Sequence, residues 1–219
     1  IELNPENFET AMLAGGCFWC VEADLEKVAG VSTVVSGYAG GTTPDPTYEN
    51  YSKGGHREVV LVTYDPGVVT YGQLVEYMLK HADPTDKEGS FNDRGYQYSP
   101  AVYYKTDGEK EIIETVITQL DALQVYEKPI DVYVEPLTEF YPAEEYHQDY
   151  YKKNPLRYGY YRRGSGRTAF IEKHWGDSAD EYVTAINMTE QGDSAWSGYE
   201  KPLDKELKDT LPPLAYKVT

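Results

Sequence analysis

The apolar run Ala11-Met12-Leu13-Ala14 stops at two glycines, and an apolar pattern of helical period begins directly after them, with Phe18, Val21, Leu25 and Val28 on one face. A buried strand, a tight turn and an amphipathic helix in that order constrain the chain to a sheet with a helix packed back against it. The two cysteines of the chain, Cys17 and Cys20, both sit at this junction. Cys17 falls at the helix N-terminus, where unpaired N–H groups and the positive end of the helix dipole favour the thiolate, the reactive form of the sulfur. Free cysteines are also common small core residues, and position alone leaves that alternative open.

Further along, residues 31–38 are rich in β-branched side chains and read as a strand, followed by a loop of Gly, Thr and Pro over 39–55. A second strand at 58–64 ends at the turn signal Asp65-Pro66-Gly67, a helix is expected over 71–80, and a polar loop over 81–100 leads to a short strand at 101–104. This order predicts an α+β fold, a two-layer sandwich with a βαββαβ (ferredoxin-like) core and a mixed sheet. A helix over 109–123 and a strand over 130–134 are added to it, and beyond Tyr141 the chain turns polar and aromatic. The two loops are longer than most connections in compact domains, which is expected of the walls of a site.

At 219 residues, 40% of them hydrophobic, the chain can bury a core without disulfides. One main domain over 1–175 is expected, with a C-terminal extension over 176–219. The net charge of −17 argues against nucleic acid or an anionic membrane as a partner. No apolar stretch approaches the roughly 20 residues of a membrane span, and no signal peptide is visible. The start at Ile1 leaves the compartment uncertain and leans the expectation toward an extracytoplasmic, periplasmic or secreted, protein. A Cys-x-x-Cys pair points to redox chemistry rather than a disulfide framework. No metal site is expected, because His56, His81, His147 and His174 show no ligand spacing and no second cysteine pair exists.

Seven blocks, in order, resemble one family. Gly16-Cys17-Phe18-Trp19 is followed by Ser36-Gly37-Tyr38-Ala39-Gly40-Gly41, Pro46-Thr47-Tyr48, Gly55-His56-Arg57-Glu58 and Asp83-Pro84-Thr85. Asn92-Asp93-Arg94-Gly95-Tyr96-Gln97-Tyr98 and Phe140-Tyr141-Pro142-Ala143-Glu144-Glu145-Tyr146-His147-Gln148 complete the set. Together they resemble peptide-methionine (S)-S-oxide reductase, methionine sulfoxide reductase A, over residues 10–155. The resemblance implies that Cys17 attacks the sulfoxide sulfur, that Phe18 and Trp19 form an apolar pocket for the methyl group, and that Glu58 is the acid. It further implies that Tyr48 and Tyr98 bond the sulfoxide oxygen and that the carboxylate of Asp93 organises the site. The chemistry agrees, since a sulfoxide oxygen leaves only when protonated and a carboxyl raised by apolar neighbours suits that task.

The chain departs from the commonest pattern in three places. The resolving cysteine that many members carry after Lys-Asn-Pro is missing from Asn154-Pro155-Leu156-Arg157-Tyr158-Gly159-Tyr160, and Ser165-Gly166-Arg167 stands where another group has Cys-Gly-Arg. Ser99 follows Tyr98 where an Arg is common. Cys20, one helical turn from Cys17 and within the roughly 5.5 Å Cα separation of a disulfide, is the internal candidate for resolving thiol. The alternative is direct reduction of Cys17 by an external thiol. No bound cofactor is expected, with thioredoxin or another thiol as reductant and methionine sulfoxide, free or in proteins, as substrate. Segments 199–208 and 214–219 resemble the opening of a reductase B domain, which makes a fused partner domain a further expectation. A rival reading is a thioredoxin-like dithiol-disulfide carrier using Cys17 and Cys20.

Overall fold

A computed structural model describes residues 3–184, so the tail segments 199–208 and 214–219 lie outside the described residues. The elements run β1 (Glu9–Ala14), α1 (Phe18–Leu25), β2 (Val31–Ala39), β3 (Arg57–Tyr64), α2 (Tyr71–His81), β4 (Gly89–Ser90), β5 (Asp93–Arg94) and β6 (Ala101–Tyr104). They continue with α3 (Asp107–Ala122), β7 (Tyr133–Pro136), β8 (Phe140–Pro142), α4 (Tyr150–Lys153), α5 (Pro155–Ser165) and α6 (Arg167–His174). Six strands form one mixed sheet in the order β7-β6-β1-β3-β2-β8. Its pairs are antiparallel except β6 with β7, and β4 pairs with β5 as a separate hairpin. The chain is therefore a mixed α+β protein.

Strand β3 lies between β1 and β2 and is apolar at successive positions because both its faces are covered. Val60 and Val62 point with Leu13, Val34 and Val102 into a core shared with Phe18, Val21 and Leu25 of α1, Leu74, Val75 and Met78 of α2, and Ile112, Ile113 and Val116 of α3. Val59 and Leu61 face the other way, joining Met12, Val35, Tyr103 and Phe140, with Tyr133 and Leu137 packed alongside. The two-residue period of a strand makes this division. Helix α2 begins at a capping box in which Thr70 and Gln73 each satisfy the other's backbone N–H, and Thr106 caps α3 by accepting from the Glu109 N–H.

Several elements differ from expectation. The strand expected at 130–134 forms later, at Tyr133–Pro136, because the Ile130 N–H is held by Asp121 and the Asp131 N–H by the Pro84 carbonyl. The polar loop over 81–100 folds into the β4–β5 hairpin, and the segment after Tyr141 supplies three helices where the sequence pattern predicted none. Residues 178–184 run along α2. There Lys80 donates to the Ser178 and Glu181 carbonyls at 2.7 and 2.6 Å, and Glu76 accepts from the Val183 and Thr184 N–H groups.

Arg57 ties the sheet to the turn that carries Tyr98. Wholly buried, it donates from two nitrogens to Glu135 at 2.7 and 3.1 Å, and to Ser99 Oγ and Tyr103 Oη. Its guanidinium also lies 4.1 and 4.3 Å from the ring centres of Tyr96 and Tyr133. Arg57→Met removes the bidentate pair and leaves Ser99 and Tyr103 without their donor. The expected loss of stability is about 2–4 kcal/mol, read from urea unfolding, because removing one partner of a buried ion pair is strongly destabilising.

Candidate active site

The turn between β1 and α1 builds the site. Gly16 has φ +91°, and a Cβ there would fall 2.4 Å from Ser90 Cβ, so both the backbone angle and the space require glycine. Arg167, buried at the start of α6, donates to the carbonyls of Gly15 at 2.7 Å and His81 at 2.5 Å and braces the turn from behind. Cys17 then stands at the N-cap of α1, and its side chain caps nothing. The first free amide of the helix, Phe18 N–H, donates instead to Glu58 Oε2 at 2.9 Å. The other Glu58 oxygen accepts from the Tyr51 hydroxyl at 2.9 Å, and Tyr51 in turn is hydrogen-bonded to Tyr98.

Thus Cys17, Glu58, Tyr48, Tyr98 and Asp93 gather at one place, with differences in detail. Glu58 is 2% exposed on an interior strand, and its direct phenolic partner is Tyr51, which sequence reasoning passed over. Tyr48, the outermost of the set, stacks on Tyr51 and meets the His147 ring at a tilt, while Glu144 accepts its backbone N–H. Asp93, on the β4–β5 hairpin, accepts from the hydroxyl of Tyr161, and that hydroxyl is also hydrogen-bonded to Cys17. Tyr161 was missed as well. It lies on α5, whose polar face gave no apolar stripe to read, although the density of tyrosines there was a usable signal.

Aromatic rings line the cleft. Trp19 stacks on Tyr150 with centres 3.7 Å apart, meets the Tyr161 ring edge-on, and donates from Nε1 to His147 Nδ1 at 3.0 Å. Phe18 is fully buried and packs on Tyr38 and on the His147 ring. Burial holds His147 neutral, its imidazole pushed down to about 3.

The field at the two sulfurs is opposite in sign. Burial pushes the Cys17 thiol well up, and the hydrogen bond to Cys20 and the charge of Glu58 add to the rise. The hydrogen bond from Cys17 draws Cys20 down to about 6 against its own desolvation, and Arg167 and Arg162 add to the effect. The helix N-terminus is thus one of several influences on the pair: the hydrogen bond from Cys17 and, after it, the two arginines favour negative charge on Cys20. Burial likewise lifts Glu58 to about 8, despite the hydrogen bonds from Phe18 and Tyr51 that oppose the rise, so at neutral pH its carboxyl is mostly protonated. Among the described residues, the carboxylates close enough to share an ion are Glu22, Glu26 and Asp149. They are already engaged, Glu22 with Ser36 and the Asp149 N–H, and Glu26 with Lys152.

A thiol at a helix start, hydrogen-bonded to a second thiol and set beside a protonated buried carboxyl, defines a thiol redox protein of mixed α+β fold. The family model described as peptide methionine sulfoxide reductase matches residues 9–179, and the chain belongs to that family. It is 42% identical over 224 residues to the peptide methionine sulfoxide reductase MsrA/MsrB of Vibrio cholerae, an alignment covering 100% of this chain and 59% of that relative. This chain thus spans only part of that relative's length. It is 48% identical over 169 residues to MsrA 2 of Rhizobium meliloti, covering 77% of this chain and 84% of the relative. The reduced form of Mxr1 from Saccharomyces cerevisiae superposes with a TM-score of 0.64 at 28% identity, covering 71% of this chain and 90% of that one. Among the described residues no helix is long and apolar enough to cross a membrane.

Two outcomes follow from these fields. In a Cys20→Ser background, Tyr161→Phe should move the pH profile of Cys17 alkylation by iodoacetamide to higher pH, because the Tyr161 hydroxyl, whose one proton otherwise goes to Asp93, favours the thiolate by donating to it instead. An unmoved profile would show that Tyr161 does not act on the sulfur. For Glu58, the folded chain holds the proton more tightly than the unfolded chain, so its contribution is fully present below 4.5 and is lost as pH rises to about 8. The melting temperature of Glu58→Gln should therefore gain on that of the parent over this interval, by the equivalent of a few kcal/mol.

Proposed function

We propose that this chain reduces the S epimer of methionine sulfoxide, free or within proteins, to methionine. The observation that supports this most strongly is the buried Glu58 carboxyl, protonated near neutral pH and anchored to the first amide of the helix that Cys17 opens. Dithiol-disulfide exchange has no oxygen to protonate and needs no acid aimed at one. In sulfoxide reduction it has one, because the oxygen must be protonated before the S–O bond can break.

The substrate methyl group lies against Phe18 and Trp19, whose indole is held by Tyr150 and His147. The proton on Cys17 passes along its hydrogen bond to the Cys20 sulfur, and the Cys17 thiolate attacks the sulfoxide sulfur as Glu58 protonates the oxygen. Tyr48 and Tyr98, both at the Glu58 side of the cleft, donate to that oxygen as charge develops on it. Asp93 and Tyr161 orient the attacking sulfur. Collapse transfers the hydroxyl to Cys17 as a sulfenic acid and releases methionine. Cys20 or an external thiol then condenses with the sulfenic acid, losing water, and a thioredoxin-type dithiol completes the cycle.

The same reading takes residues 1–175 as the catalytic unit on a ferredoxin-like, two-layer core, and 176–219 as an extension leading into a reductase B domain. The match to the Vibrio cholerae MsrA/MsrB, which runs over 100% of this chain and 59% of that relative, supports the fusion.

A diastereomer-resolved assay with dithiothreitol should show loss of the S epimer alone. Glu58→Gln should lower that rate by about 10²–10⁴-fold, the range of general acid catalysis, while exchange with a small disulfide is preserved. The parent rate should fall as pH rises through about 8, where Glu58 loses its proton, and this limb should be absent from the variant. Loss of both epimers at equal rates, or an unimpaired Glu58→Gln, would overturn the reading.

A further inference from the structure

The two cysteines differ in what surrounds them as well as in charge. Cys17, 5% exposed, faces the cleft, where Tyr48 forms the open rim at 42% exposure. Cys20 is 0% exposed and lies one turn deeper, against the side of the molecule closed by α5 and α6. Its neighbours there are fixed. Arg162 donates to Asp24 at 2.9 Å and to the Tyr158 hydroxyl at 3.0 Å, and Arg167 is buried on the Gly15 and His81 carbonyls. Cys17 and Cys20 are the two cysteines of the sequence, so a reductant that engages a thiol of this chain meets one or the other.

We propose that Cys20 resolves the Cys17 sulfenic acid, and that the dithiol reductant then attacks Cys17 rather than Cys20, so that the mixed disulfide forms on the nucleophile itself. This rests on the proposed sulfoxide reduction. In the first step Cys20, holding the proton it took from Cys17, gives that proton to the sulfenic oxygen and bonds to Cys17; the S–O bond breaks, the oxygen leaves as water, and the Cys17–Cys20 disulfide forms. In the second, a thiolate of the reductant bonds to Cys17, the disulfide breaks, and its electron pair leaves with Cys20. In the third, the second thiol of the reductant displaces Cys17 as a thiol, so the reductant ends as a disulfide and the chain as a dithiol.

Thiol-disulfide exchange requires the attacking sulfur to approach in line with the bond it breaks, from the side opposite the leaving sulfur. Approach to Cys17 along that line comes from the cleft, whereas approach to Cys20 comes from the wall of Arg162 and Arg167. That wall favours departure of Cys20 as a thiolate, since exchange is faster when the leaving thiol has the lower pKa, and the charges of Arg167 and Arg162 lower that of Cys20 whether or not Cys17 holds a proton. The arginines thus serve the leaving group of the recycling step. The substrate cleft admits first the sulfoxide and then the reductant, and both meet the same sulfur.

The test oxidises the full chain with one equivalent of methionine sulfoxide and adds a thioredoxin whose second active-site cysteine is replaced by serine, so that the adduct cannot resolve. Free thiols are alkylated with iodoacetamide. Phe18 and Trp19 lie between the two cysteines, so chymotryptic cleavage separates them for mass spectrometry. The expected result is loss of two thiols on oxidation, thioredoxin on Cys17 and the alkyl group on Cys20. Thioredoxin on Cys20, on both sulfurs in similar amount, or on neither would overturn the proposal, as would loss of a single thiol on oxidation. A disulfide made with diamide is mapped in the same way. If methionine sulfoxide consumes no thiol, the proposed function fails on its own, and the diamide arm still reads which sulfur is attacked.

Discussion

The hydrogen bond from Phe18 N–H to Glu58 is the interaction on which the site depends. The first amides of a helix have no partner within it, and Cys17 offers no side-chain cap. A carboxyl from the interior strand β3 supplies the acceptor at 2.9 Å, so one bond both terminates the helix and fixes the acid beside the sulfur. The bond forms only because Gly16 allows the backbone to turn at positive φ and because Arg167 holds the Gly15 carbonyl from behind. Burying Glu58 for this purpose opposes its ionisation, and that opposition keeps a proton on it near neutral pH.

Around this bond the structure separates two electrostatic environments within one helical turn. The carboxyls of Glu58 and Asp93 and the hydroxyls of Tyr48, Tyr51, Tyr98 and Tyr161 surround Cys17, and the guanidinium groups of Arg162 and Arg167 act on Cys20. A reaction that gathers a proton at one sulfur and releases a thiolate at the other suits that division. The aromatic lining serves it twice, by excluding water from the acid and by giving rigid walls whose polar tips still reach one another, as in the Trp19 to His147 bond.

The residues flanking Cys17 and Glu58 were legible because they lie on elements with a clear apolar period: β1, α1 and β3 matched their expected places closely. Tyr48, Tyr98 and Asp93 were legible only through the order of the motif blocks, since loops carry no periodicity. Tyr51, Tyr161, Arg162 and Arg167 were not found. Helices α5 and α6 lack an apolar stripe, for they bind the body of the protein through tyrosine and arginine contacts rather than through a hydrophobic face. The strand expected at 130–134 slipped for a related reason: local hydrogen bonds to Asp121 and Pro84 compete with the sheet, and such bonds leave no mark in a hydropathy pattern.

What the sequence by itself determined is the strand-turn-helix junction, the alternation that buries β3 on both faces, and the pair of thiols three residues apart. Each follows from local rules of backbone sterics and apolar period. What only the tertiary structure decided is which groups meet there: that Tyr51 rather than Tyr48 holds Glu58, that Tyr161 bridges Asp93 to Cys17, and that the arginines of α5 and α6 face Cys20. These contacts join residues from 7 positions apart, Tyr51 and Glu58, to 147 apart, Cys20 and Arg167, and the charge state of a buried group depends on its neighbours in space, which no order along the chain encodes.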